Sequence, residues 1–341
     1  MPRILFACPS DASFIRVDRE LLAERWPLLE WRQPGRVTNL FRLVPMLLRS
    51  DLVVGWWASW HTFWPITLAW LLRKPSLLII GGFDTAAMPD IGYGLQLGGA
   101  RKWLSRWVMS RATRLVTNSH YSQGEIERNI GLAPTRVGVI HHGVPDPYGE
   151  LPDGHRERLA LNVGLVTRAN LDIKGQRAFV EAAAHAPDVA FVLAGPWRDD
   201  AIEGLRRNAA PNVSFTGWLE QGDLDDLFRR ASAYVQPSRH EGFGLAVAEA
   251  MLAGCVPVVT AAGALPEVVG DAGIQVASSE PVEIAGAVRR ALELGPPARA
   301  RARDRVLARF PVSRRREALW AEVESLADAD RRAGRDHSAM P

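Results

Sequence analysis

Cysteine is nearly absent from this 341-residue chain: Cys8 and Cys255 are the only two, and they lie far apart. A disulfide framework and a zinc cage are thereby excluded, and a reducing cytoplasm is the expected setting. Neither sign of charge dominates. A formal net charge of +3 is too mild to call for nucleic acid, but it suits a protein that meets phosphates or an acidic membrane face. The first eight residues lack the longer apolar core of a signal peptide. No short-period repeat is found. Also missing is a Gly-x-Gly-x-x-Gly turn after the first strand-like run. Pro9-Ser10-Asp11-Ala12-Ser13 stands there instead, which argues against a dinucleotide-dependent dehydrogenase. Residues 52–72 lack Asp, Glu, Lys and Arg, carry five tryptophans and would just span a bilayer. Gly55, Ser59, His61, Thr62, Pro65 and Thr67 interrupt that stretch. Its expected reading is strand, aromatic bend and buried helix.

What is present is an ordinary soluble composition, 47% hydrophobic and 23% charged, over a length that suggests about two domains. Strand-like runs at 3–8, 52–56, 76–80, 114–117 and 137–140 alternate with helical stretches at 17–25 and 101–114. Residues 146–154 have the Pro, Gly and acidic content of a linker. The pattern then restarts, with strands at 159–164, 189–194, 213–215, 233–235 and 256–259 and helices at 175–184, 224–230, 244–253 and 282–294. This predicts α/β architecture: two Rossmann-like, doubly wound domains, 1–148 and 155–313, facing a cleft. Ligands then belong beyond the carboxyl ends of the strands. Eight arginines crowd residues 299–316. A last helix, 314–330, carries an apolar stripe of Leu319, Trp320, Val323 and Leu326 and is expected to pack back on the first domain. The final ten or so residues look frayed.

The most informative segment runs from Ser238 to Met251 and contains Glu241-Gly242-Phe243-Gly244-Leu245 and Glu249. It follows a strand and opens a helix. The glycines let backbone approach a ligand. The amides of Phe243, Gly244 and Leu245 would face an anion, helped by the helix dipole. Glu249 can accept two hydrogen bonds from a vicinal diol such as a ribose, and Glu241 can do the same for a hexose. Carboxylate, anion cradle and second carboxylate form the layout that a nucleotide-sugar needs.

This segment resembles the Glu-x7-Glu signature of the retaining glycosyltransferases of family 4, which have the GT-B fold. Val116 to Ser122, Val139 to Val144, Asn162 to Arg168, Ile173-Lys174-Gly175 and Leu265 to Val269 resemble further stretches of that family, in order. The resemblance implies that Arg168 and Lys174 clamp the donor diphosphate, that Glu241 holds the donor sugar and that Glu249 holds the ribose. It places the base near Gly195, Trp218 and Leu219, where Trp218 is either a stacking platform or core. The reaction implied is sugar transfer from a nucleoside-diphosphate sugar to a glycan or lipid-linked saccharide, with retention and front-side attack, in cell-surface polysaccharide or glycolipid synthesis. Neither a cofactor nor a metal is expected, since the cations replace it. A nucleotide-sugar epimerase and a non-catalytic nucleotide-sugar binder are the rival readings.

Three features depart from or add to that pattern. The first domain is short and has no glycine-rich loop after its first strand, although Ser10 and Ser13 could substitute. Asp84, after the third strand-like run, either orients the acceptor hydroxyl and takes its proton or caps the following turn. His61 is a weaker candidate, read as packed or solvent-facing. The stretch 101–111 mixes Arg101, Lys102, Arg106 and Arg111 with Trp103 and Trp107. It is either an amphipathic helix packed on the sheet or a peripheral contact with an anionic inner membrane face.

Overall fold

The computed structural model describes every residue except 34, 152–155 and 339–341, with backbone alone at 330 and 333–338. The chain divides into two compact units, Met1–Gly143 with the segment from Val312 onward, and Val144–Pro311. The first unit holds β1 (Ile4–Cys8), β2 (Leu28–Arg32), β3 (Leu52–Trp56), β4 (Ser76–Ile80), β5 (Arg114–Thr117) and β6 (Val137–Val139). They form one parallel sheet in the order β2-β1-β3-β4-β5-β6. Every residue of β1, β3 and β4 is buried, as expected for strands covered on both faces. On one face Phe6, Trp56 and Ile79 pack with Leu319 and Val323 of the last helix, Val312–Ser338. On the other, Leu5, Val53 and Leu78 pack with Leu43, Ile66, Leu104 and Val108.

The last helix is locked to the first unit by a buried ion pair. Arg315 Nε and Nη2 donate to the Asp18 carboxylate at 2.5 and 2.6 Å, Trp56 Nε1 donates to the same carboxylate at 3.0 Å, and Arg315 Nη1 reaches the carbonyls of Ile140 and His141 at 2.8 Å.

The second unit holds β7 (Glu157–Val163), β8 (Ala190–Ala194), β9 (Val213–Gly217), β10 (Ala231–Gln236), β11 (Val256–Thr260) and β12 (Ile274–Val276). Its parallel sheet runs β12-β11-β10-β7-β8-β9. The strand order reverses between β7 and β10, so the crevice for a ligand lies beyond the carboxyl ends of these two strands.

Several expectations need correction. The unit boundary falls at 143/144 rather than 148, because Val144 N donates to Phe310 O at 2.9 Å. The start of the expected linker is also pinned inside the second unit: Asp146 pairs with Arg303 at 2.5 Å, and Tyr148 donates to Asp225 at 3.3 Å. The rest of that linker, with the predicted domain start at 155, reaches residues outside those described. The second unit ends at Pro311 rather than 313, and the last helix begins at Val312 rather than 314. The arginine-rich run is largely a helix, Gly295–Arg309. The helix read at 17–25 spans Ser13–Ala23. Strands β2 and β12 and the helices Leu40–Leu48, His120–Ile130 and Ala201–Asn208 were not anticipated. Residues 52–72 do form strand, bend and helix, Trp60–Leu71. Among the described residues no helix is long and apolar enough to cross a membrane.

Candidate active site

Two loops meet at the reversal point of the second sheet. The loop after β7 leads through Gly164 to a short helix, Arg168–Ile173, whose first turn is capped by the Thr167 side chain accepting from Asn170 N at 3.2 Å. Lys174 and Gly175 follow. The loop after β10 runs through Ser238 and Glu241 to the helix Leu245–Leu252. Arg239 N donates to Ile173 O at 2.8 Å and ties the loops together. Gly175 has φ +67°, and a Cβ there would lie 2.1 Å from Pro237 O. Only glycine permits so close an approach of the two backbones.

That approach brings Lys174 to Glu241, with Nζ donating to Oε2 at 2.8 Å. Both side chains are partly buried. Gly244 caps the following helix at φ +99°, a conformation that L side chains rarely adopt. The first-turn amides beyond it have no acceptor within the helix. Phe243 divides its parts: the ring is core, 5.2 Å edge-on to Phe310, while its backbone belongs to the notch with Gly242. Leu245 is partly buried against the same core.

Glu249 lies on this helix. It is half-buried, and among the described residues nothing donates to its carboxylate. Burial, with a smaller contribution from the Asp225 charge, pushes its pKa up to about 7. A partly desolvated carboxylate without donors is poised to take hydrogen bonds from a ligand.

Arg168 is directed elsewhere. Its guanidinium forms a two-pronged pair with Asp200 at 2.9 and 2.5 Å, and its backbone N donates to Asp199 at 3.0 Å. Of the two cations expected to clamp one diphosphate, Lys174 is thus paired with Glu241 and Arg168 with Asp200 in this structure. The Arg168–Asp200 pair is exposed, and an exposed pair contributes little and exchanges easily. Asp199 and Asp200 escaped the sequence reading because nothing local marks a partner thirty-odd residues away. Gly195 follows β8, with its N donating to Gly217 O at 2.9 Å. Trp218, just past β9, is 70% exposed. The core alternative for this residue is thus excluded, while Leu219 packs partly on the core.

In the first unit Asp84 is 2% exposed. Its Oδ2 accepts from Ala58 N at 3.1 Å and Gly81 N at 3.3 Å, so it caps the short helix Gly82–Thr85 and tethers the β3 loop. Of the two roles expected, the capping one is seen in this geometry. Burial raises its pKa to about 7 against the lowering effect of these two bonds. His61 is buried. Its Nε2 donates to Trp56 O at 2.5 Å, and desolvation depresses its pKa to about 4. It is a packed, neutral histidine.

Comparison with known proteins bears on the family and the fold. A family model described as Glycosyltransferase Family 4 matches residues 4–146, and one described as Glycosyl transferases group 1 matches residues 160–294. A D-inositol 3-phosphate glycosyltransferase of Streptomyces bingchenggensis is 28% identical over 208 residues, 54% of this chain and 46% of the relative. A glycogen synthase of Mycobacterium tuberculosis is 26% identical over 255 residues, 69% and 61% respectively. The match thus spans about half of these relatives' lengths. Among solved structures, Anabaena HepE in complex with UDP and glucose superposes with a TM-score of 0.74 at 18% identity, covering 95% of this chain and 100% of that one. Sucrose-phosphate synthase of Thermosynechococcus elongatus gives 0.76 at 19% identity, covering 96% and 100%. At these identities the likeness is one of fold.

Proposed function

Because the chain belongs to the GT-B glycosyltransferases, we propose that it moves a glycosyl group from a nucleoside-diphosphate sugar to a glycan or lipid-linked saccharide, with retention of configuration. The donor binds the second unit. The observation that carries this reading is the set of groups around one glycine notch: the Lys174–Glu241 pair at its mouth and the undonated carboxylate of Glu249 on the helix it opens. A diphosphate would lie against the first-turn amides. Glu249 would take the ribose diol, and Trp218 would offer its exposed face to the base. Lys174, joined by Arg168 once it leaves Asp200, would offset the charge that grows on the leaving diphosphate as the glycosidic bond breaks. The departing phosphate oxygen would take the acceptor's proton on the same face. The counter-charge in this scheme comes from side chains, so turnover should survive chelation.

Thermal-shift measurements against a panel of nucleotide sugars test the site. One nucleoside diphosphate should raise the melting temperature of the native protein, and Glu249→Ala should abolish that rise. Nucleotide release that requires an acceptor then identifies a transferase. Sugar interconversion without acceptor would mark an epimerase, and tight binding without turnover would mark a binder.

A further inference from the structure

Three helices of the first unit, Leu40–Leu48, Trp60–Leu71 and Gly99–Arg111, lie side by side on one face of its sheet. Their inner sides are accounted for by Leu43, Leu47, Ile66, Leu104 and Val108 in the core. The outer sides of the first two are also apolar, and the third exposes Trp103 beside Arg101 and Ser110. Phe41 is 96% exposed and Trp103 58%, and Leu48, Trp64, Trp70 and Leu71 are exposed with them. A helix apolar on all sides is normally buried all round; the first two are buried on one side only.

Exposed and partly buried rings of the second and third helices form a connected patch. Trp103 stacks on Trp107 at 5.6 Å, Phe63 lies 6.2 Å from Trp103, and Trp70 lies 6.4 Å from Trp107. Arg111 sits 4.4 Å over both Trp70 and Trp107. Beside this patch a groove of about 520 Å³, bordered by Trp70 and Leu71, gathers Arg73, Lys74 and Arg111. The three helices with the residues that flank them, 40–49, 60–74 and 99–111, hold eight Arg and Lys and no Asp or Glu.

We infer that this three-helix face seats the protein on an anionic lipid bilayer, with Phe41, Leu48 and Trp103 entering the interface and the Arg73, Lys74 and Arg111 groove taking lipid phosphate. Aromatic side chains prefer the headgroup boundary, apolar area adds binding strength, and each cation near an anionic surface adds attraction that salt screens. The charge complementarity selects this occupant over a neutral apolar partner. The inference is independent of the donor reading, since none of these residues belongs to the second unit.

Flotation with phosphatidylglycerol-containing vesicles and with pure phosphatidylcholine vesicles is the test. Binding is expected to the anionic vesicles alone, to weaken as salt is raised, and to shift tryptophan emission to the blue. Phe41→Glu with Trp103→Glu should cut vesicle affinity roughly tenfold or more while leaving the melting temperature and nucleotide binding unchanged. Arg73→Glu with Lys74→Glu should remove most of the salt-sensitive part. No flotation at low salt, equal binding to neutral vesicles, or wild-type binding by both double variants would overturn the inference. So would a dimer in sedimentation velocity that the Phe41 and Trp103 substitutions dissociate, since the face would then join copies of the chain.

Discussion

The two units have related parallel sheets, yet the groups beyond the carboxyl ends of their strands differ. In the first unit Asp18, His61, Asp84 and His142 are buried, and burial holds the two histidines neutral and raises the Asp84 pKa. Asp18, His61 and Asp84 are spent on holding the scaffold. In the second unit Lys174 and Glu241 are partly exposed and Arg168 and Asp200 largely so, and among the described residues nothing donates to Glu249. Charge that is buried and satisfied stabilises one geometry; charge left near solvent can be handed to a ligand. Ionic substitutions at these strand ends should therefore act on folding in the first unit and on binding in the second.

The largest effect is expected at the buried pair. Asp18→Ala strands Arg315 without its carboxylate and also leaves Trp56 Nε1 unpaired. Breaking one side of such a pair costs about 3–5 kcal/mol, to be read from urea unfolding. The double replacement Asp18→Leu with Arg315→Met should cost less than either single change. A small effect of Asp18→Ala would dissolve the contrast between the units.

Next comes Gly175→Ala. Its Cβ would meet Pro237 O at 2.1 Å with φ at +67°, and a strained site of this kind costs roughly 1–3 kcal/mol. Because the loop carrying Lys174 must move away, nucleotide-induced stabilisation should fall further than the apo melting temperature does.

Glu249 sharpens the comparison through pH. Its folded pKa of about 7 lies above its ordinary 4.5. Its contribution to stability is thus fully present below about pH 4.5 and is lost as pH rises through about 7. Glu249→Gln should be more stable than the parent at pH 8, by at most about 3 kcal/mol, and should flatten that part of the stability profile. Nucleotide affinity of the parent should rise across the same window, as the ionised carboxylate becomes the better acceptor for a diol. His61 runs the other way. Its pKa is depressed from 6.5 to about 4, so its contribution is lost as pH falls through that interval, and acid should loosen the first unit.

The loop and helix of the candidate site were legible because they are local: Glu241, two glycines and Glu249 lie within one segment. The Lys174–Glu241 contact spans 67 residues, and Lys174 was named as a site residue only through the family resemblance. The first unit was harder to read. β2 has one buried residue among Leu28–Arg32, so neither a continuous apolar run nor clean alternation marks it. Leu40–Leu48 looks like core but is half outside it. Asp18 and Arg315 are 297 residues apart, and no short window connects them. Asp84 offered two chemically sound roles, and the capping one became visible only with the positions of the Ala58 and Gly81 amides.

The smallest expected effect is at Asp200. Its pair with Arg168 is exposed and screened by solvent, so Asp200→Asn should leave the melting temperature within error. If Arg168 must abandon Asp200 to reach the donor diphosphate, however, weakening that competitor should tighten nucleotide binding, by roughly two- to fivefold. The same substitution would weaken binding if Asp200 instead held Arg168 in its working position. Calorimetric titration with the nucleoside diphosphate separates the two signs. Repeating it on Arg168→Ala shows whether the effect passes through Arg168, since Asp200→Asn should then change nothing. A gain in affinity without a change in stability is what the contrast between the units requires of charge left near solvent, whereas the buried carboxylate of Asp18 can only lose stability when altered.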